Sequence, residues 1–181
     1  MQRLLVIASL LALACAWVPA VHAEPQQQGI DVSQSPIPIS QIIRQAGYSL
    51  TDAEAAYLDG EQQLQGQYVR PLLQIVTLAG SESGVPEGAT QVVIVEELQR
   101  LVTLDPNASP GAPESLQPMR ELAVRQRAAI RQAAALWLEA LQAGDPEWRV
   151  RGGEAFAEAQ QSLLNWQQEL SSRYPPPQGQ P

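Results

Sequence analysis

Residues 142–153 read QAGDPEWRVRGG, and they join two long segments whose apolar residues recur at helical intervals. Gly144 stands where the C-terminus of a helix requires a positive φ angle, which glycine adopts without steric cost. Asp145 can cap a following helix, and Pro146 suits the first position of that helix. The stretch therefore predicts the end of one helix followed directly by the start of the next.

The glycine pair at the end of this stretch needs a separate explanation, because a glycine inside a helix costs roughly 0.5–1 kcal/mol relative to alanine. Gly152 falls on the same helical stripe as Trp148, and we expect that stripe to be buried. The sequence therefore predicts that the second helix crosses a neighbour closely at Gly152.

Both flanking segments have the spacing of amphipathic helices. Before the stretch the apolar stripe contains Met119, Ala123, Ile130, Ala134, Trp137 and Leu141, and after it Ala155, Phe156, Ala159, Leu163, Trp166 and Leu170. A stripe about 100° wide is typical of a helix that packs one face against a core. The two segments therefore predict a helical hairpin.

A third long helix is predicted to begin at Thr51. Thr51 and Glu54 have the spacing of a capping box, in which each side chain accepts a hydrogen bond from the other residue's amide. Apolar residues then follow at helical intervals: Leu64, Tyr68, Leu72, Ile75 and Ala79. Pro71 lacks the amide that would bond back along the helix, so we predict a kink there.

Residues 90–104, TQVVIVEELQRLVTL, are compatible with two structures. The run from Val92 to Val95 suits a buried strand, whereas the positions of Leu98 and Leu101 suit a helix. We favour a helix, because a lone strand would have no partner, and the strand stays open as the alternative.

These segments predict an all-α fold: an up-down antiparallel bundle of about four helices over residues 39–174, with a short N-terminal helix over residues 39–47. Short connections make consecutive helices antiparallel. Residues 24–38 are rich in Gln, Pro and Ser and predict a flexible lead. Residues 175–181, PPPQGQP, predict a disordered tail, since proline cannot continue a helix.

Residues 1–23 have the pattern of a signal peptide, with small residues before a cleavage point after Ala23. The apolar run from Leu4 to Val18 is shorter than the roughly 20 residues that span a bilayer. We expect a periplasmic or secreted protein without a transmembrane span after cleavage. A lipoprotein anchored at Cys15 is the alternative, although the large Leu13 disturbs the usual pattern before a lipidated cysteine.

The composition excludes several chemistries. The chain has no lysine, and its one cysteine and one histidine, Cys15 and His22, lie in the predicted signal peptide. The remaining chain has no imidazole base, thiolate nucleophile or typical zinc ligand, so we predict no enzymatic activity, no cofactor and no metal site. A formal net charge of −8 argues against nucleic acid as a partner.

Two groups of residues are candidates for binding. Trp137, Trp148, Phe156 and Trp166 project to predicted buried faces and could line a pocket for an apolar ligand. We favour the alternative, in which these bulky side chains fill the core of the bundle. Arg120, Arg127 and Arg131 share one helix face and could bind an anion. In such an acidic chain they could instead form a rim that pairs with neighbouring glutamates.

The function that these features favour is a non-enzymatic interaction or structural module of the cell envelope, whose partner is another envelope protein. The alternative is a periplasmic protein that binds a small apolar ligand among the four aromatic residues.

Overall fold

The computed structural model describes residues 37–80 and 84–175. Several predictions fall wholly or mostly outside the described residues: the signal peptide with its alternative lipidation site, the flexible lead and the tail (1–23 with Cys15, 24–38 and 175–181). Every regular element within the described ranges is helical, so the predicted all-α fold class is confirmed.

The described residues form six α-helices and one 3₁₀ turn. The helices are α1 (Ile39–Gln45), α2 (Asp52–Gly80), α3 (Gly88–Thr103), α4 (Gln117–Gln142), α5 (Trp148–Arg151) and α6 (Gly153–Arg173), and the 3₁₀ turn is Glu114–Leu116. Residues 90–103 thus form a helix and no strand. Among the described helices, none combines the length and the apolar composition needed to cross a membrane.

Helix α2 begins as the sequence predicts. The Thr51 amide donates to Glu54 Oε2 at 3.0 Å, and the Glu54 amide donates to Thr51 Oγ1 at 3.2 Å. The hydrogen bond from the Thr51 amide lowers the pKa of the Glu54 carboxyl. The helix then continues through Pro71 to Gly80, and the kink at Pro71 stays a prediction.

Helix α4 is central to the packing, because it contacts α3, α5 and, most extensively, α6. Its buried face is rich in alanine: Ala123, Ala129, Ala133, Ala134 and Ala140. Small side chains at a helix contact allow a short interaxial distance. The alanines of α4 therefore let α6 pack closely along it.

The connection from α4 to the last long helix differs in part from the prediction. Gly144 has the expected positive φ of 71°. Asp145 Oδ1 accepts a hydrogen bond from the Glu147 amide at 2.8 Å, but Pro146 lies in a turn before the helix starts at Trp148. The prediction that a helix begins at Pro146 is therefore wrong, because Asp145 stabilises a turn at this point instead of the first helical residues.

The close crossing predicted at Gly152 is confirmed. Gly152 lies between α5 and α6, so the predicted single helix is divided there. A Cβ atom at this position would lie 2.7 Å from Trp137 Nε1 and 2.9 Å from the Ala133 carbonyl oxygen. Trp137 is held in place because its indole N–H donates to the Arg149 carbonyl at 3.0 Å.

Helix α1 is attached to α2 through its N-terminal amides. The first amides of a helix have no partner within the helix, and Pro38 provides no side-chain cap. Asp59 of α2 accepts from the Ser40 amide at 2.9 Å and from the Ser40 hydroxyl at 2.6 Å. Gln62 accepts from the Ile39 amide at 3.1 Å. Side chains of α2 thus cap α1.

Replacing Asp59 with alanine is expected to lower the free energy of unfolding by about 1–2 kcal/mol, because Ser40 loses both acceptors. Hydrogen exchange of the α1 amides should accelerate more than that of α4. Asp59→Asn keeps one acceptor oxygen and should lose less. Unchanged exchange in α1 of Asp59→Ala would show that the apolar contacts of α1 alone hold it.

Candidate functional site

The apolar core of the described residues consists of two clusters. The larger cluster includes Tyr68, Leu72 and Ile75 of α2, Ile94, Leu98 and Leu101 of α3, Ile130 and Trp137 of α4, and Phe156 of α6. The smaller cluster includes Ile39, Ile43, Tyr57, Leu58, Leu116, Met119, Ala123 and Trp166. The core is therefore not continuous along the three long helices that contribute to both clusters.

Buried polar residues lie between the two clusters on each of these three helices. We call them the polar layer: Glu61 and Gln65 of α2, Gln126 and Arg127 of α4, and Ser162 of α6. On each helix they follow the residues of one cluster and precede those of the other. The polar layer thus separates the two apolar halves of the bundle.

An ion pair forms the centre of the polar layer. Arg127 Nη1 donates to Glu61 Oε1, and both side chains are 0 % exposed. Arg127 Nε also donates to the Pro106 carbonyl at 3.1 Å. A charge buried without such partners would carry a large desolvation cost. Each of the two residues therefore depends on the other for its place in the core.

The rest of the layer is only partly hydrogen-bonded. Gln65 Nε2 donates to Gln126 Oε1 at 2.7 Å. Three buried polar atoms in and beside the layer have no hydrogen-bond partner among the described residues: Gln65 Oε1, Arg127 Nη2 and the Tyr68 hydroxyl. Gln65 and Trp166 act as hydrogen-bond donors towards Glu61 and Tyr57, and each of these contacts opposes the rise in that group's pKa. Buried polar groups without partners raise the energy of the state that buries them.

Burial dominates the protonation equilibria of the layer. Burial raises the pKa of the Glu61 carboxyl, although the Arg127 guanidinium opposes that rise. Burial also raises the pKa of the Tyr57 hydroxyl, and the nearby Glu61 carboxylate adds to the effect. Burial thus shifts both equilibria towards the neutral form, and at Glu61 the ion pair with Arg127 acts against that shift.

A segment without helical structure covers the polar layer. We call residues 104–113, which connect α3 to the 3₁₀ turn, the linker strap. Leu104 packs on the larger apolar cluster and Ala112 on the smaller one. Pro106 is buried between them and supplies the carbonyl that Arg127 binds. The linker strap therefore crosses the polar layer from one apolar cluster to the other.

The linker strap also contacts α2 at a glycine. A Cβ atom at Gly60 would lie 2.7 Å from Cγ of Pro110. Gly60 directly precedes Glu61, so the absent side chain lets the strap approach the helix beside the ion pair. A Cβ at Gly66, by contrast, would meet nothing within 4 Å.

The structure separates the three arginines proposed as an anion-binding stripe. Arg127 is buried and pairs with Glu61, whereas Arg120 is half-buried and Arg131 is exposed. The three side chains therefore do not form one exposed stripe, because Arg127 turns into the core.

The four candidate aromatic residues also lie in different places. Trp137, Trp148 and Phe156 belong to the larger apolar cluster, and the rings of Trp137 and Phe156 are 5.4 Å apart. The Trp148 indole N–H donates to the Gly84 carbonyl at 3.2 Å. Trp166 belongs to the smaller cluster with Tyr57. The structure therefore brings three of the four together and places Trp166 across the polar layer.

The sequence reasoning missed Glu61, Gln65 and Gln126 as members of the site. A signal was present, because residues 57, 61, 65, 68 and 72 lie on one helical stripe. The residues at both ends of this stripe are aromatic or apolar, whereas Glu61 and Gln65 in its middle are polar. A polar residue on an otherwise apolar stripe is a candidate for a buried hydrogen bond or ion pair.

The fold and the site together define an all-α helical bundle whose core contains a covered ion pair. No protein-family model matches the chain, no curated protein matches it in sequence, and no solved structure matches its fold. The function is therefore inferred from the residues of the chain itself.

Proposed function

We propose that the protein is an exported, non-enzymatic module of the cell envelope that acts by binding another envelope protein. The proposal rests on one observation: the side chains that could have bound a ligand contact other residues of the same chain instead. Glu61 and Arg127 bind each other beneath the linker strap, and Trp137 packs on Phe156. Because these buried side chains hold the helices together, we expect a partner to bind the outer surface of the bundle.

The outer surface has isolated exposed apolar side chains, and the chain as a whole is acidic. The exposed large apolar residues of the helices include Val92, Leu136, Val150 and Leu164. Each belongs to a different helix, and single exposed apolar residues are common on any surface. The net charge of −8 favours a partner with a basic face, since complementary charge steers association.

Photo-crosslinking in intact envelopes tests this proposal. A photoreactive residue is placed at Val92, Leu136, Val150 or Leu164 in turn, with the exposed polar Gln74 as the control position. We expect one adduct of defined mass from one helix face and none from Gln74. The same background from every position would contradict a protein-binding function.

The competing proposal is a binder of small apolar ligands, supported by the contact among the aromatic residues of the larger cluster. Tryptophan fluorescence titrated with an extract of native lipids distinguishes the two. A saturable shift would favour ligand binding, and an unchanged spectrum with every fraction would leave the protein partner as the better proposal.

Export of the protein is part of the same proposal and can be tested at its N-terminus. Mass spectrometry of the purified protein's N-terminus distinguishes cleavage after Ala23 from a diacylated Cys15.

We also propose that the four long helices run alternately up and down. The order of packing supports this topology, since α2 contacts α3, α3 contacts α4, and α4 contacts α6.

A further inference from the structure

Three buried polar atoms on two neighbouring helices have no protein partner. Gln65 Oε1 and the Tyr68 hydroxyl belong to α2, and Arg127 Nη2 belongs to α4; the described residues provide no hydrogen bond to any of the three. The three residues are at most 9 % exposed, so bulk solvent does not solvate these atoms. An unpaired buried group carries a desolvation cost, which is greatest for a charged donor such as a guanidinium. A ligand that paired with all three atoms would remove this cost.

The three atoms lie in one part of the polar layer. Gln65 and Tyr68 are three positions apart on α2, so they share a face of that helix. Gln65 Nε2 donates to Gln126 Oε1 at 2.7 Å, which brings Gln65 next to the residue that precedes Arg127. The Arg127 guanidinium also acts electrostatically on the Tyr68 hydroxyl. The three unpaired atoms therefore lie near one another between α2 and α4.

The packing of the helices differs at this place from the rest of the bundle. Helices α2 and α4 approach each other less closely than α4 approaches α3 or α6, and side chains of the polar layer bridge them. The face that α4 turns to its close neighbours is rich in alanine, which permits a short interaxial distance. A wider separation spanned by polar side chains is the kind of place where a protein interior accommodates a small polar molecule.

The chemistry of the three atoms selects the ligand. Arg127 Nη2 only donates, Gln65 Oε1 only accepts, and the Tyr68 hydroxyl can do either. A ligand for all three must accept a hydrogen bond from the arginine and donate one to the glutamine. It must also be uncharged, because the Glu61 carboxylate already balances the Arg127 guanidinium. Water meets both requirements, and a buried water typically makes about three hydrogen bonds.

We propose that the polar layer binds a long-lived internal water molecule, held by Arg127 Nη2, Gln65 Oε1 and the Tyr68 hydroxyl. The water accepts a hydrogen bond from Arg127 and donates one to Gln65. Every nitrogen of the guanidinium then has a partner, because Nη1 binds Glu61 and Nε binds the Pro106 carbonyl. The water thus joins α2 to α4 where the two helices are bridged only by side chains.

Oxygen-17 relaxation dispersion of the solvent tests the proposal, because it counts internal waters that stay bound for longer than the protein takes to tumble. The double variant Gln65→Leu with Tyr68→Phe removes two of the three partners and should lose the amplitude of one long-lived water. As a control, Tyr57→Phe with Ser162→Ala removes two buried hydroxyls that do not belong to the proposed site, and it should keep the full amplitude. An unchanged amplitude in the first variant, or the same loss in both, would overturn the proposal.

A second measurement uses the unmodified protein and does not depend on the folding of any variant. In rotating-frame spectra, the sign of a cross-peak with water distinguishes contact with a bound water from proton exchange with solvent. We expect a contact cross-peak between water and the Arg127 guanidinium, and none at the amide of Ala133, which is buried on the same helix. A guanidinium that shows only exchange, or no cross-peak at all, would contradict the water site.

Discussion

Replacing Arg127 with methionine is expected to lower the free energy of unfolding by about 3–5 kcal/mol. The substitution leaves the Glu61 carboxylate buried without its cation and removes the donor to Pro106. Chemical denaturation near neutral pH measures the loss. Since the total stability of a domain is only about 5–15 kcal/mol, the single variant should lie close to unfolding.

The same substitution should be less harmful in acid. Removal of the Arg127 guanidinium removes an effect that opposes the rise in the pKa of Glu61. Glu61 is then neutralised more readily, so the deficit shrinks as the pH falls below the raised pKa.

Two further variants complete this test. In the double variant Glu61→Leu with Arg127→Met, the charges are gone and the stability should return to that of the unmodified chain or exceed it. Arg131→Met changes an exposed arginine of the same helix and should stay within about 0.5 kcal/mol. A loss in Arg127→Met no larger than that in Arg131→Met would contradict the buried ion pair.

Gly152→Ala is expected to lower the free energy of unfolding by about 1–3 kcal/mol. The added methyl would lie under 3 Å from the Trp137 ring and from the Ala133 carbonyl oxygen. Trp137 cannot move aside freely, because its indole binds the Arg149 carbonyl and its ring packs on Phe156. Helix α6 would have to shift away from α4, and thermal denaturation measures the cost.

The adjacent glycine provides a matched control. A Cβ at Gly153 would meet nothing within 4 Å, and this residue begins α6. Gly153→Ala should therefore raise the stability by about 0.4–1 kcal/mol, because alanine restricts the unfolded chain. Neighbouring substitutions should thus act in opposite directions, and a stabilising Gly152→Ala would show that the crossing is not tight.

Local features of the fold were predictable because their causes are local. The capping box of Thr51 and Glu54 involves residues three positions apart, and the positive φ of Gly144 follows from the end of its own helix. The glycine at the crossing was also predictable, because an unfavourable residue on an apolar stripe requires a compensating contact.

The site was predictable only in part. Arg127 was recognised as a candidate, but its face of the helix suggested an exposed rim, and its partner Glu61 lies 66 residues earlier. The aromatic residues were placed in the core, but their division between two clusters depends on the position of the polar layer. Helical periodicity describes residues three or four positions apart, so it does not predict contacts between residues that are distant in the sequence.

The sequence by itself determined that the chain is helical, which face of each long helix is apolar, and where α2 begins. It did so because hydrophobic spacing and capping depend on residues three or four apart. Only the tertiary structure decided that Arg127 binds Glu61 beneath the linker strap and that Trp137 packs at Gly152. A buried charge is tolerated only where a distant residue supplies its partner, and folding alone brings the two together.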